Sequence, residues 1–381
     1  MNIRPTCNMR INILICLTIL LIVAGDGIAQ VKSVSCWPQF RGDPQLTGNS
    51  PALIKPPYKL LWKFKAGDAI KSSPVVSDGK VFFGSDDGVL YAVSLNGELK
   101  WKFNAGTSIE AAPLLLGHMV IIGSMEGYLF AVDAGTGEQK WKYTTEGQIS
   151  GSPNWVIGPD KKQHRLLTGS YDFNLHCIDA NTGKGLWKYE SGNYINGSPA
   201  IFGSLAIFGG CDGFLHMINT ANGQSVGQIE VGTYIPASAA IAGDKAYFGN
   251  YDGEFFCVDI RNRKTLWKTG GGGPFLASPA IAKGRVISGS QNKHLYCFDS
   301  ANGKLQWKYK ALGKVDGSPV VSGNHVVFGS GDGRLHILDI TTGDEIWSYE
   351  TGSAIYSTPA VTSRMIIVGA DDGNLYAFGP K

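Results

Sequence analysis

The stretch Ala-Val-Asp-Ala-Gly-Thr-Gly-Glu-Gln-Lys-Trp, residues 131–141, decides how this sequence folds, because variants of it recur along the chain. Its terminal tryptophan is the clearest marker of the recurrence. The markers are Trp62, Trp101, Trp141, Trp187, Trp267, Trp307 and Trp347, at spacings of 39, 40, 46, 80, 40 and 40 residues. The spacing of 80 contains one unit that has Gly227 where tryptophan is expected. The chain therefore holds eight units with a period near 40 residues, which is typical of repeat architectures.

Each unit has the pattern of four short β-strands joined by turns. Its apolar runs are four to six residues long, which suits strands and is short for helices. Proline follows most markers by twelve residues, as at Pro74, and starts a strand where its missing N–H is tolerated. Asp-Gly and Asn-Gly pairs between the apolar runs favour hairpins, since glycine adopts positive φ without steric cost.

Four-stranded repeats of this length predict an all-β fold, an eight-bladed β-propeller of antiparallel blades. The two ends of the chain support a closed ring. The last unit stops before its outer tryptophan strand, whereas the first tryptophan strand, 60–64, has no three strands before it. We expect the N-terminal strand to complete the last blade, since pairing these fragments removes exposed sheet edges.

The N-terminus has the pattern of a secretory signal. Arg4 and Arg10 precede an apolar run, 11–24, and small residues at 27–29 suit a cleavage site. We therefore predict a signal peptide at 1–29, a leader at 30–58 that packs on the propeller, and the propeller itself at 59–381. This organisation predicts an exported protein, periplasmic or extracellular, and association with the outer membrane stays open. Cys36 is poorly placed for a lipoprotein signal, but the sequence leaves its lipidation undecided.

Charge and motifs exclude several classes of function. The formal net charge of +3 is too small for a nucleic-acid footprint, and no segment after the signal has the length of a membrane-spanning helix. Three histidines, His176, His216 and His336, share one repeat position and are interpreted as flat packing groups in separate blades. The acidic turns are interpreted as hairpin chemistry. We assign no metal ligand and no catalytic residue.

One repeat position varies as a binding surface would. Nine residues after each marker, at the start of the innermost strand, side chains are chemically diverse while their neighbours are constrained. Repeat geometry places this position around one mouth of the central channel. We expect Lys71, Glu110, Asn196, Asp316 and Tyr356 to form a polar binding rim. The alternative is that these positions are unconstrained loop starts that drift freely.

The repeat resembles the tryptophan-docking motif of the PQQ-like, quinoprotein-type β-propellers, over about residues 37–381. The pattern Ala-x-Asp-x-x-Thr-Gly-x-x-x-Trp at 131–141 carries the resemblance, as does Trp-Pro-Gln-Phe-Arg-Gly at 37–42. The resemblance implies that each tryptophan wedges between neighbouring blades as a structural docking group. Exported members of the family include PQQ-dependent alcohol dehydrogenases and cofactor-free scaffolds such as the outer-membrane assembly lipoprotein BamB, to which the similarity is distant.

Two functions follow from the resemblance. The first is an exported, non-catalytic scaffold that binds a protein or glycan partner in the cell envelope, without a cofactor and as a monomer. The alternative is a quinoprotein oxidoreductase of the alcohol or sugar dehydrogenase type, with PQQ and Ca²⁺ in the channel. The family's dehydrogenases carry an adjacent Cys-Cys pair and large insertions, and this sequence has neither. That departure favours the scaffold.

Overall fold

The repeats form four-stranded antiparallel sheets in the computed structural model, which describes residues 36–381, and one of these sheets gains a short fifth strand from the leader. Eight such sheets, the blades, are present in this part of the chain, which confirms the predicted eight-bladed propeller. The predicted signal peptide at 1–29 lies outside the described residues. From residue 36 onward, no helix is long and apolar enough to cross a membrane.

The strands follow one another in the order of the repeats. Before the first complete blade come β1 (Asn49–Ser50) and β2 (Tyr58–Lys65). Blades 1 to 4 contain β3 (Val75–Ser77), β4 (Lys80–Gly84), β5 (Val89–Ser94), β6 (Leu99–Asn104); β7 (Leu114–Leu116), β8 (Met119–Gly123), β9 (Tyr128–Asp133), β10 (Gln139–Thr144); β11 (Asn154–Ile157), β12 (His164–Gly169), β13 (Asn174–Asp179), β14 (Gly185–Glu190); β15 (Ala200–Phe202), β16 (Leu205–Gly209), β17 (Phe214–Asn219) and β18 (Ser225–Glu230). Blades 5 to 8 contain β19 (Ala240–Ala242), β20 (Lys245–Gly249), β21 (Glu254–Asp259), β22 (Lys264–Gly270); β23 (Ala280–Ala282), β24 (Arg285–Ser290), β25 (His294–Asp299), β26 (Leu305–Lys310); β27 (Val320–Ser322), β28 (His325–Gly329), β29 (Arg334–Asp339), β30 (Glu345–Glu350); β31 (Ala360–Val361), β32 (Ile366–Gly369) and β33 (Asn374–Pro380).

The ring is closed by the first long strand of the chain. Strand β2 pairs antiparallel with β33 and completes blade 8, in the sheet order β2-β33-β32-β31. In this pairing Trp62 lies opposite Ala377, as Trp101 lies opposite Ala92 inside blade 1. The predicted closure by the N-terminal strand is therefore confirmed, with the register found inside the other blades.

The marker tryptophans contact the next blade. The indole N–H of Trp101 donates to the carbonyl of Ala134 at 3.2 Å, and its ring lies against Gly137. A Cβ at Gly137 would lie 2.8 Å from that ring, and the backbone there has φ of +80°. Both the close contact and the positive φ therefore favour glycine at this position. The same tryptophan–glycine contact joins six neighbouring blade pairs, through Trp62, Trp101, Trp141, Trp187, Trp267 and Trp307.

Candidate functional site: the mouth of the central channel

The innermost strands begin at one end of the central channel. Four residues before the first residue of each inner strand lies the variable position that the repeat pattern singled out. We call these eight residues the rim ring: Lys71, Glu110, Ser150, Asn196, Pro236, Leu276, Asp316 and Tyr356. The rim ring surrounds the open end of the channel, which we call the mouth.

A buried apolar residue anchors each member of the rim ring. The residue directly before each rim position has no exposed surface; these residues are Ile70, Ile109, Ile149, Ile195, Ile235, Phe275, Val315 and Ile355. Each packs on a glycine of the preceding blade, and a Cβ on that glycine would overlap it, as between Ile70 and Gly369. The rim side chains therefore project from backbone that is held rigidly between two blades.

Below the rim, hydroxyl groups link one blade to the next. A backbone N–H of one blade donates to a serine hydroxyl of a neighbouring blade, at the position eleven residues after the repeat marker. The links run from Ala112 N to Ser152 Oγ (2.9 Å), Ser152 N to Ser198 Oγ (2.8 Å), Ser198 N to Ser238 Oγ (2.8 Å), Ser238 N to Ser278 Oγ (3.1 Å), Ser278 N to Ser318 Oγ (3.0 Å) and Thr358 N to Ser73 Oγ (2.8 Å). This serine belt satisfies inner-strand backbone groups that would otherwise be left unpaired.

The leader occupies the opposite end of the channel and contacts the innermost strand of every blade. Its contacts in blade order join Trp37 with Val76, Pro38 O with Leu115 N, Gln39 with Asn154, Pro44 O with Ile201 N, Gln45 O with Ile241 N, Thr47 O with Ile281 N, Gly48 O with Val321 N, and Ser50 Oγ with Val361 O. The chain thus visits blades 1 to 8 in sequence between residues 37 and 50. Strand β1 adds a parallel pair with β27 in this path.

Arg41 holds the leader in place from within. Its side chain is completely buried, and its two terminal nitrogens donate to the carbonyls of Pro319 (2.6 Å) and Pro279 (2.7 Å) in neighbouring blades. Burial lowers the pKa of Arg41 to about 9, against the raising effect of Asp43. The side chain therefore bridges two blades through a costly buried charge.

A polar cavity of about 180 Å³ lies between the rim ring and the leader. Its lining combines Phe40 of the leader, members of the serine belt and most of the rim ring. Four of the five predicted rim residues line this one cavity: Lys71, Glu110, Asn196 and Tyr356. Asp316 does not line it, and instead accepts a hydrogen bond from Gln291 Nε2 at 3.4 Å.

Lys71 is the centre of a charged cluster at the mouth. Its ammonium contacts Asp86 at 2.8 Å and Glu110 at 3.1 Å. The hydrogen bond with Asp86 raises the pKa of Lys71, and Glu110 raises it further. Together they outweigh burial, which lowers this pKa. Lys71 is therefore a fixed cation whose charge is already balanced by two carboxylates.

Tyr356 is close enough to the carboxyl groups of Asp316 and Asp371 at the same mouth for their charges to affect it. Burial raises the pKa of Asp316 and of Asp371, and burial together with these two charges raises the pKa of Tyr356. Gly331 makes room for the phenol, because a Cβ there would lie 2.9 Å from Tyr356 Oη. This side of the mouth therefore presents acidic oxygens around one phenol.

Three oxygens around the mouth are buried and accept no hydrogen bond in the described part of the chain. They are Oδ1 of Asn196, Oδ1 of Asp316 and Oδ1 of Asp371. Asn196 uses its amide nitrogen on Cys211 Sγ, at 3.3 Å, so its oxygen faces elsewhere. Buried acceptors without partners are costly. A ligand with hydrogen-bond donors would satisfy them.

The repeated histidines lie away from the mouth cavity, in separate blades. His176 bonds Asp172 through Nε2 at 2.9 Å and the Tyr143 hydroxyl through Nδ1 at 3.0 Å. His216 bonds Asp212 and Tyr189 in the same manner. These histidines join a turn of their own blade to the outer strand of the preceding one, so they do more than pack. Over residues 36–381, no three His, Cys, Asp or Glu side chains converge to hold a metal ion.

The mouth does not fit PQQ with Ca²⁺. PQQ is a fused-ring quinone with three carboxylates, whereas Lys71, the one cation of the rim ring, already pairs with Asp86 and Glu110. Sites for cofactor-sized molecules typically enclose about 300–1,000 Å³. The cavity here encloses about 180 Å³.

Several residues of the site were not found from the sequence. The serine belt has the repeat period, as at Ser152 and Ser198, so a search at the eleventh position after each marker would have revealed it. The apolar anchoring residues have the same period, so the sequence indicates their positions as well. Phe40 belongs to the leader, which has no internal repeat, and no periodic signal pointed to its place in the cavity.

Two family models match the chain. The model described as "Beta-alanine-activating enzyme, beta-propeller" matches residues 149–379, more than half of the chain. The model described as "Outer membrane protein assembly factor BamB" matches residues 54–162. Among curated proteins, no sequence matches significantly.

Solved structures share the fold at low sequence identity. BamB from Moraxella catarrhalis is 19% identical with a TM-score of 0.72, over 85% of this chain and 100% of that one. The computationally designed Ika8 protein is 18% identical with a TM-score of 0.73, over 84% and 99%. Quinohemoprotein alcohol dehydrogenase from Comamonas testosteroni is 15% identical with a TM-score of 0.75, over 93% and 82%.

These structural similarities establish the propeller architecture only, since all are below 25% identity. The first family model goes further, because it spans most of blades 3 to 8. The chain is a PQQ-like propeller, and it belongs to the β-propeller family of the beta-alanine-activating enzyme.

Proposed function

We propose that this protein is an exported, non-catalytic scaffold that binds a protein or glycan partner of the cell envelope through the mouth of its channel. The proposal rests on the difference between the two ends of the channel. The leader fills one end with contacts to all eight blades, whereas the other end displays a chemically varied ring on rigid backbone. A monomer with one accessible mouth would bind one partner per ring.

The varied side chains at the mouth suit recognition. Lys71, Glu110 and Tyr356 surround a polar cavity and remain partly exposed, while the residues directly before them are fully buried. Scaffolds commonly place recognition groups on loops that a rigid framework positions. Similarity to BamB, named as an outer-membrane assembly factor, supports an envelope location and a protein partner.

A comparison of two charge-pair deletions tests the proposal. Partners are cross-linked to the full-length protein in envelope fractions, and the captured material is compared across variants. We expect Lys71→Ala with Glu110→Ala to abolish specific capture. The matched control is Lys100→Ala with Glu98→Ala, which removes an exposed Lys–Glu pair of 2.9 Å on the outer strand of blade 1. Equal capture by both double variants would refute a binding role for the rim ring.

The alternative is a quinoprotein oxidoreductase, supported by the shared architecture with quinohemoprotein alcohol dehydrogenase. It predicts that the purified protein takes up PQQ in the presence of Ca²⁺ and then oxidises alcohols or sugars with an artificial dye. The scaffold proposal predicts no bound chromophore after gel filtration and no dye reduction above that of free PQQ. Stoichiometric PQQ uptake with dye-linked turnover would favour the dehydrogenase.

A further inference from the structure

Aromatic side chains cluster on the mouth face of blades 3 to 5. We call this cluster the aromatic arc: Tyr171, Phe173, Tyr194, Tyr234 and Tyr251. The rings of Tyr171 and Tyr194 stack with centroids 4.7 Å apart, and those of Tyr234 and Tyr251 stack at 4.3 Å. Phe173 contacts Tyr194 with centroids 5.2 Å apart.

The repeat does not require these aromatics. The position of Tyr171 holds Asp86, Met125, Cys211, Gln291, Gly331 and Asp371 in other blades, in addition to Tyr251. Three members of the arc are substantially exposed: Tyr194 by 44%, Tyr251 by 40% and Phe173 by 38%. Exposed aromatic surface that contributes little to a core marks an interaction site.

The aromatic arc is continuous with the mouth. The backbone N–H of Tyr171 donates to the carbonyl of Gln148 at 2.9 Å, two residues before Ser150 of the rim ring, and Tyr194 lies two residues before Asn196. Cys211 accepts the amide of Asn196 through Sγ, and its backbone N–H donates to the carbonyl of Tyr194 at 2.9 Å. Tyr234 lies two residues before Pro236 of the rim ring. One side of the mouth is therefore aromatic. The other side holds the Lys71 cluster and the carboxyls of Asp316 and Asp371, whose pKa values are raised by burial.

The unpaired oxygens indicate what kind of ligand completes this surface. Asn196 lines the cavity and its Oδ1 is a buried acceptor without a partner, while Asp316 and Asp371 hold one such oxygen each beside the mouth, outside the lining. A ligand that carries several hydrogen-bond donors therefore suits this end of the channel. The stacked tyrosines present flat faces beside it. A sugar ring combines several hydroxyl donors at its edge with a flat C–H face, whereas a peptide carries its N–H donors along an extended backbone and a small cation has no flat face.

We infer that the mouth and the aromatic arc form a glycan-binding site, with one sugar ring in the rim cavity and neighbouring sugars stacked along the arc. This inference rests on the proposed partner-binding role of the rim and names the class of partner. The cavity of about 180 Å³ limits the enclosed part of the ligand to a single small ring. The rest of the glycan lies on the open tyrosine faces.

Isothermal titration of the full-length protein with neutral hexasaccharides tests the inference. The probes are β-1,4-linked glucose, β-1,3-linked glucose and β-1,4-linked N-acetylglucosamine. We expect at least one to bind, and we expect Tyr194→Ala and Tyr251→Ala each to weaken it by about five-fold or more. The control is Leu312→Ala, because Leu312 is 73% exposed in the loop before blade 7, outside the arc. Thermal unfolding of each variant verifies that it is folded.

Failure of the inference is distinguishable from failure of the proposed function. If none of the hexasaccharides binds, or if the tyrosine variants bind as the wild type does, the glycan assignment is overturned. Rim-dependent capture of an envelope protein would then still support the scaffold. Binding of a lysine-rich peptide, lost in Asp316→Asn and retained in Tyr251→Ala, would overturn the glycan assignment in favour of a basic protein partner.

Discussion

Arg263 lies against Gly227 at the one contact between blades 4 and 5 where the tryptophan–glycine pair is exchanged. A Cβ at Gly227 would lie 2.7 Å from Arg263 Cδ, and Arg263 Nη1 donates to the carbonyl of Val226 at 2.7 Å. At six other blade contacts a tryptophan packs on a glycine of the next blade, whereas here the glycine lies in the earlier blade and the long arginine side chain in the later one. The two departures from the repeat are therefore one compensated exchange.

Restoring the ordinary pair should require both substitutions. Gly227→Trp alone should lower the free energy of unfolding by about 1–3 kcal/mol, because the indole collides with Arg263. The double variant Gly227→Trp with Arg263→Gly should recover most of that loss, since glycine also relieves the positive φ of 54° at Arg263. A double-mutant cycle by chemical denaturation measures the coupling. Additive changes in the free energy of unfolding would show that the two residues do not interact.

A disulfide across the seam of the ring should form readily and stabilise strongly. Lys65 and Asn374 are direct partners in the β2–β33 ladder. Lys65→Cys with Asn374→Cys should raise the free energy of unfolding after oxidation by up to about 5 kcal/mol, because it closes a very long loop. The matched control is Asn104→Cys with Val89→Cys, the same register inside blade 1, which should give about 3 kcal/mol. Absence of the 65–374 crosslink by mass spectrometry would contradict ring closure.

His176 should lower the pKa of its partner and stabilise the fold at neutral pH. Burial raises the pKa of Asp172, but the hydrogen bond and charge of His176 outweigh it and lower the pKa below its usual value. Because the folded pKa is depressed, this stabilisation is present above about pH 4 and is lost as pH falls through the folded pKa. His176→Phe should therefore cost about 1–3 kcal/mol at pH 7 and progressively less in acid.

Titration of Asp172 by carboxyl NMR provides the direct measurement. The His176→Phe variant should move the pKa of Asp172 upward, because burial then acts without the histidine. His118→Ala, which alters an exposed histidine on a turn, serves as the control and should leave the titration unchanged. An Asp172 pKa that is the same in wild type and His176→Phe would contradict the assignment.

Arg41 should be essential for the seat of the leader. Arg41→Met removes the donors to the carbonyls of Pro279 and Pro319 and should cost about 2–4 kcal/mol, since two buried acceptors lose their partners. Arg261→Met is the control, because Arg261 is 67% exposed in its ion pair with Asp244, and should cost less than about 1 kcal/mol. Comparable stability of the two variants, by thermal and chemical unfolding, would rule out a buried anchoring role.

The periodic features of the molecule were predictable from the sequence, and the aperiodic ones were not. Blade number, strand order and the seam at Trp62 followed from spacing, since each repeat must bury its faces on its neighbours. The spacing also indicated the repeat position of the rim ring, whose role in binding stays a prediction. The spacing did not predict the direction in which each side chain of that ring points. Asp316 shares its repeat position with Lys71, yet it accepts a hydrogen bond from Gln291 and does not line the cavity.

The leader and the aromatic arc lay beyond such reasoning for different physical reasons. Most of the leader's hydrogen bonds to the blades join residues more than 100 positions apart, as from Gln39 to Asn154, and no local pattern encodes them. The aromatic arc depends on which blades happen to be neighbours at the mouth. Tyr171 and Tyr194 look unrelated in sequence, and they stack only because adjacent blades bring two different turns together.

Because the leader contacts all eight inner strands in turn, its length and conformation match a ring of eight blades. Its carbonyls at Pro44, Gln45, Thr47 and Gly48 meet inner strands that arrive at the spacing of an eight-membered circle. A chain that gained or lost one repeat by duplication or deletion would bring its strands past those carbonyls out of step. The leader would therefore disfavour changes in the number of blades, to which tandem repeats are otherwise prone.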